Sequence, residues 1–308
     1  MTDQANPSRT NRRRPPRSRL RPADYAIAAV VLAFLGYVAF MVQGKINYQW
    51  RWNLIPNYIL RWDDNALTWK PNVLLEGFLA TIRICVYSGI LAAVFGVILG
   101  FGRASNNLTI RLLSRTYVEL LRNIPPVVII FIFYFFISRQ IIDLVGLEGW
   151  SRGIAKQEGN GVYTFLFGDM RQFSSLASGV LVIALFQSAF VGEIVRTGIQ
   201  SVPNGQREAA RSIGMSRLQE IRYIVMPQAF SKVLPPLANQ FIFLIKDSSI
   251  VSIISVQELT YKSVELISST RMIFEVWAVT TALYFILCFG LSMMFRHFEA
   301  KSLTSAKL

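Results

Sequence analysis

The sequence predicts an all-α polytopic membrane protein of about six transmembrane helices, with both termini on the cytoplasmic side. Three observations predict it. The 308-residue chain is 53% hydrophobic with a mean hydropathy of +0.40, more apolar than a soluble domain of this size sustains. Six apolar stretches, near 25–42, 74–101, 117–137, 173–195, 233–256 and 275–295, are long enough to cross about 30 Å of hydrocarbon. The segments between them alternate in charge. Residues 1–23, 102–122, 196–232 and 296–308 carry net charges of +6, +3, +4 and +2, whereas 43–72, 138–173 and 257–274 carry +2, 0 and 0. Lys and Arg gather on the cytoplasmic face of membrane proteins, which fixes the orientation. The overall +14 is then explained by topology and by anionic membrane lipid, with no nucleic-acid partner required.

The chain reads in order as a basic cytoplasmic tail (1–23), an extra first span with an external segment (24–72), a membrane core (73–297) and a short cytoplasmic tail (298–308), with no room for a soluble catalytic domain. Arg12-Arg13-Arg14-Pro15-Pro16 precedes the first apolar run, but that run ends in Phe40-Met-Val-Gln-Gly-Lys45 without a small-x-small cleavage site, so it is an uncleaved span. The outer segment is rich in Trp50, Trp52, Trp62 and Trp69 with Tyr48 and Tyr58, side chains that favour the headgroup zone, with receptor docking as a further role. In span two, Glu76 and Arg83 stand near the outer end, where long side chains snorkel to water. Span three opens on Pro125 and Pro126, which remove two backbone donors and force a kink or a helix start. The outer loop 138–173 reads as a solvated linker or a surface for a binding protein.

Charges at membrane depth are costly and mark functional positions unless a structural pairing accounts for them. Glu193 and Arg196, three residues apart in span four, are placed to pair on one helix face. Lys246-Asp247 follows thirteen uncharged residues, about 20 Å along span five from its cytoplasmic start. The pair either borders a translocation path or closes the helix as an outer-end ion pair. Ser248, Ser249, Ser252 and Ser255 beyond it suit an aqueous path, helix packing or a broken helix facing a cavity. Cys85 and Cys288 both fall inside spans and suggest neither a disulfide nor a metal site. With His297 the only histidine, metal hydrolysis and His-based catalysis are excluded, and no catalytic, cofactor-binding or metal-binding residue is assigned.

Between spans four and five lies a predicted helical hairpin, about 203–227. Pro203 and Asn204 are helix-start residues, Gly214 suits the end of a first helix, Ser216 with Gln219 forms a capping box for a second, and Pro227 is expected to close it. Ala209, Ala210 and Ile213 give the first helix a small-residue face. Leu218, Ile221 and Val225 line the second, and Arg207, Arg211, Arg217 and Arg222 flank this ridge. Gln206, Ala210, Gly214 and Ser216 also fall at helix-turn-helix spacing, but a hairpin tethered within about ten residues of a span at both ends does not reach a DNA major groove. A docking element for a partner protein is the expected role.

The run Glu208-Ala209-Ala210, Gly214 and Ile224-x-Met226-Pro227 resembles the EAA motif of ABC importer permeases, with Met226 where that family usually has Leu. Further blocks resemble the polar amino-acid (histidine/glutamine-type) branch, in family order over about 73–297. They are Thr81-Ile-Arg-Ile84, Tyr117-x-Glu119-x-x-Arg122-x-x-Pro125, Ser188 to Pro203 with Gly192 where Ala is common, Pro236-x-x-Asn239 and Lys246 to Ser252. Residues 1–72 lie outside this resemblance.

The resemblance implies a type I ABC importer permease fold in a bacterial cytoplasmic (inner) membrane. It implies ATPase coupling through Arg207, Glu208, Ala209, Ala210, Gly214, Ile224, Met226 and Pro227. A translocation path is expected along Arg122, Pro125, Gln187, Ser188, Glu193, Asn239, Lys246, Asp247 and Ser248. The implied partners are an ATP-binding ABC subunit, which would hold ATP and Mg, an external solute-binding protein, and a second permease copy or sister permease. No Gly-x4-Gly-Lys-Ser/Thr motif occurs in this chain, in keeping with ATP hydrolysis on a partner. The alternative is an ion-coupled secondary transporter of a small polar solute, using Lys246-Asp247 or Glu193 as coupling groups.

Overall fold

A computed structural model describes residues 22–45, 48–64, 67–157, 159 and 161–305, so the basic tail expected at 1–23 lies almost wholly outside the described residues. The chain divides after Trp50 into two compact units. In the first, α1 (Pro22–Lys45) is a 24-residue helix whose sequence carries no charge from Tyr25 to Val42.

The second unit begins with a short 3-10 turn and α2 (Ile55–Ile59), followed by a small hairpin of β1 (Leu60–Asp63) and β2 (Thr68–Pro71). This hairpin departs from the all-helical expectation. Trp62 faces Trp69 across its register with ring centroids 5.4 Å apart, and Lys70 bonds Asp63. Cross-strand aromatic and ion pairs of this kind stabilise a short antiparallel ladder where helix propensity is weak.

The membrane core follows. α3 (Val73–Arg103) is capped by Asn72, and α4 (Leu108–Asn123) by Asn107, whose side chain accepts from the Thr109 and Ile110 amides. α4 ends because Ile124, held extended before Pro125 (φ −103°, ψ 140°), leaves helical space. α5 (Pro126–Ile132) then starts with a proline at its first position and runs through a π-helical turn, Phe133–Ser138, into α6 (Arg139–Val145). The third span therefore begins at Pro126, and Tyr117–Asn123, expected inside it, belongs to the separate amphipathic α4. The loop expected outside the membrane is folded: α7 (Leu147–Ala155) and α8 (Gly161–Phe167) carry Trp150 and Phe167 onto Phe173.

α9 (Phe173–Gln200) is the central helix, packed on α3, α4 and α12 (Met226–Asp247); the hairpin elements α10 (Asn204–Ser212) and α11 (Arg217–Gln219) lie between α9 and α12. The most extensive helix contact is α3 to α9. A Cβ on Gly96 would lie 2.4 Å from Val191 Cγ1, and one on Gly192 would lie 3.0 Å from Leu99 Cβ. Small residues let backbones meet in this way where lipid offers no hydrophobic drive between helices. α12 gives way at Asp247 to a 3-10 stretch, Ser248–Ile254, which ends at Ser255 in the left-handed region. α13 (Leu259–Thr270) and α14 (Ile273–Ser305) complete the unit. Among the described residues, five segments are long and apolar enough to cross a membrane: Val73–Arg103, Pro126–Val145, Met170–Gln200, Arg217–Ile254 and Ile273–His297.

Candidate functional site

The hairpin after α9 forms by the local signals its sequence carries. α10 closes with a Schellman turn in which Gly214 (φ +81°) donates to the Arg211 carbonyl at 2.9 Å and Met215 to Ala210 at 3.1 Å. Ser216 and Gln219 make the reciprocal capping box that starts α11. Pro227 does not close the second helix. Glu220–Val225 widens into a π-helical turn and continues into α12, with Pro227 in its first turn. The wider turn relieves the clash between a proline ring and the carbonyl four residues earlier, so the hairpin is continuous with span five.

The hairpin's two faces have different chemistry. Inward, Glu220 is only 2% exposed and accepts from Arg211 Nε at 2.8 Å, clamping α10 to the second helix. Arg207 donates to the Ile199 carbonyl at 2.6 Å and Lys232 to Ser201 at 2.7 Å. Arg207 and Arg211 thus hold the hairpin together instead of flanking it as free charges; they are tied because buried carbonyls and Glu220 lie within their reach. Outward, Ile213 and Leu218 are each 75% exposed, beside exposed Glu208 and Ala209, while Ala210 is buried. Ile224, Met226 and Pro227 sit at the junction with α12, where Ile224 accepts a hydrogen bond from Gln228 at 3.0 Å.

A second polar set lies within the spans. Gln187 of α9 donates to Asp247 at 2.8 Å and accepts from Gln240 at 2.6 Å, joining α9 to α12. Asp247 thus bonds an amide, and no ion pair with Lys246 forms. Lys246 is exposed, its ammonium 5.6 Å from the Phe243 ring centroid. Lys232, Pro236, Asn239, Phe243 and Lys246 recur at helical spacing as one exposed stripe of α12. A cation and an amide on such a stripe require water or protein against them. Ser248 is buried and donates to the Ile245 carbonyl.

Other residues expected along a path are brought elsewhere. Ser188 bonds Tyr117 of α4 at 3.2 Å. Glu193 sits near the hairpin end, where Arg196 donates to it at 3.0 Å, Arg103 of α3 bonds it and Arg122 of α4 approaches to 3.8 Å. Pro125 shapes the α4–α5 break. Arg103 and Gln240 were not anticipated, because their partners lie on other helices. Glu258, buried at the start of α13, was also missed; it accepts from Tyr284 at 2.7 Å, Thr81 at 3.3 Å and the Tyr261 amide at 2.9 Å. Burial raises its carboxyl above the ordinary glutamate value, against the opposing pull of these bonds.

The sequence signature described as "Binding-protein-dependent transport system inner membrane component" matches residues 92–303, across the α3–α14 core and the hairpin. The chain belongs to this family. As a member of the binding-protein-dependent inner membrane components, it is a multi-pass membrane transport subunit and not itself an enzyme, which displaces the ion-coupled alternative. The family implies an ATPase and a solute-binding protein as partners. The chain is similar to the probable glutamine ABC transporter permease protein GlnM of Bacillus subtilis (strain 168), 31% identical over 74% of this chain and 92% of that one. The glutamine transport system permease protein GlnP of Escherichia coli (strain K12) is 28% identical over 79% and 98%. Among solved structures, one described as an amino acid ABC transporter with histidines superposes with a TM-score of 0.59 at 28% identity, covering 74% of this chain and 94% of that one. The MetNI methionine ABC transporter in an inward-facing conformation, at 16% identity and TM-score 0.54, shares the fold.

Proposed function

We propose that this permease imports polar amino acids on the energy of ATP bound with Mg by a separate ATPase, and that the hairpin is where that ATPase docks. The observation that carries the reading is the hairpin's outer surface: Ile213 and Leu218, beside Glu208 and Ala209, stand in solvent on an element clamped from behind by Arg211–Glu220. Exposed apolar residues on a rigid ridge fit a groove on a partner. The amino-acid class rests on relatives that carry glutamine.

In this reading the hairpin and both termini are cytoplasmic. A second permease copy or sister chain faces the α12 stripe, and the translocation path runs along Asn239, Lys246 and Asp247 beside Gln187 and Ser248. Because the hairpin continues into α12 through the π-helical turn, movement of the ATPase is passed straight to the helix bearing this polar face. Glu193, Arg122, Pro125 and Ser188 hold α3, α4, α5 and α9 around it.

The test is co-purification of the tagged chain from its native host in mild detergent, together with amino-acid uptake. An ATPase bearing a phosphate-binding loop is expected with the wild type and is lost with Gly214→Asp or Glu208→Lys, along with uptake. Uptake unaffected by both substitutions would overturn the docking assignment.

A further inference from the structure

At the end of the core opposite the hairpin lies an open cavity of about 490 Å³, lined by α3, the α8–α9 connection and the segment leading into α13. Its wall carries Glu76, Arg83, Asp169, Arg171, Gln257 and Lys262. Lys262 is paired with Glu265 at 3.1 Å, and the rest of this charge is not spent on ion pairing among the described residues. Arg83 gives its Nε and Nη2 to a neutral acceptor, the Phe165 carbonyl, at 3.3 and 3.1 Å, and among the described residues it has no carboxylate partner. Asp169 accepts from the Arg171 backbone amide at 2.9 Å, leaving the Arg171 guanidinium without a described partner. Gln257 Oε1 is shielded from solvent and accepts no hydrogen bond among the described residues. A shielded acceptor without a donor is costly unless something fills the site.

We infer that this cavity is a binding site for a free amino acid, held by its zwitterionic end, on the outer face of the permease and separate from the α12 stripe. Arg83, with Arg171 nearby, supplies donors for an α-carboxylate. Glu76, Asp169 and Gln257 Oε1 supply acceptors for an α-ammonium. Both signs in one wall disfavour a lone anion such as phosphate, which would face Glu76 and Asp169, and disfavour a simple cation, which would face the Arg83 and Arg171 guanidinium groups. The volume lies within the range of small-molecule pockets and accommodates an amino acid of glutamine size. A solute released outside the membrane meets this end of the core first. The inference rests on the proposed amino-acid import.

The experiment uses the permease–ATPase complex in nanodiscs, without solute-binding protein or nucleotide, and a tritium-labelled mixture of the protein L-amino acids at sub-saturating concentration. Label is expected to bind, to be displaced by excess unlabelled amino acids, and to resist displacement by amino alcohols, which lack the carboxylate. Arg83→Gln is expected to lower bound label about tenfold or more, as the loss of a charge-assisted contact does. Because Arg83 also holds the Phe165 carbonyl, Gln257→Leu serves as the second variant; its Oε1 has no internal bond to lose, and it too is expected to lower binding. Wild-type binding in both variants, or full displacement by amino alcohols, would overturn the inference. So would absence of displaceable label in a complex that still imports amino acids with ATP, and in that case the proposed function stands. Loss of ATPase capture and of uptake by the wild type would instead refute the proposed function.

Discussion

Gly214 shows how much one backbone angle carries. At φ +81° a side chain is strained, so Gly214→Ala should cost about 1 kcal/mol locally, seen as faster amide exchange over 204–216 with the spans unaffected. Glu258 is a residue of the opposite kind, polar and closed in. Its carboxyl is raised by burial, so the stability it contributes is fully present below the ordinary glutamate value of about 4.3 and is lost as pH rises through the higher folded value. The melting temperature of the wild type should therefore fall across the pH units above that point, and Glu258→Gln should flatten the profile; parallel profiles would count against this account. Gly214 was legible in the sequence because a helix stop is a local event. Glu258 was not, because nothing near it in the chain announces Thr81 or Tyr284.

The elements follow the same division between local and distant causes. Pro203, Gly214, Ser216 and Gln219 make the hairpin readable, and the break at Pro125-Pro126 is readable for the same reason. Pro227 misleads because proline both ends and opens helices, and only the downstream register decides between them. The small β hairpin was hidden in an aromatic segment whose composition fits a membrane interface equally well. The α3–α9 contact adds a packing test. Gly96→Leu would drive a side chain into Val191, which already lies within 2.4 Å of an ideal Cβ. A loss of about 1–3 kcal/mol is expected, measured as a lower melting temperature in detergent, while Gly36→Leu, with nothing within 4 Å, should leave it unchanged.

Across the whole molecule, Glu193 gathers Arg103, Arg122 and Arg196 from three helices at the hairpin end, where the sequence showed only the i,i+3 partner. Glu193→Ala would leave three guanidinium groups facing one another at a partly buried site. A loss of about 2 kcal/mol is expected, smaller in high salt for the exposed Arg122 contribution, and readable as lower thermal stability at low ionic strength. The fold class was legible at this scale from the apolar stretches, whereas the contacts between spans depend on which helices the topology makes neighbours. Lys246 carries a consequence for how the protein is made. A solitary copy released into the bilayer would press an ammonium against acyl chains, at about 3 kcal/mol. With the second permease proposed to face this stripe, the lipid would penalise the orphan subunit and reward its assembly, the membrane acting as a proofreader of stoichiometry before any ATP is spent.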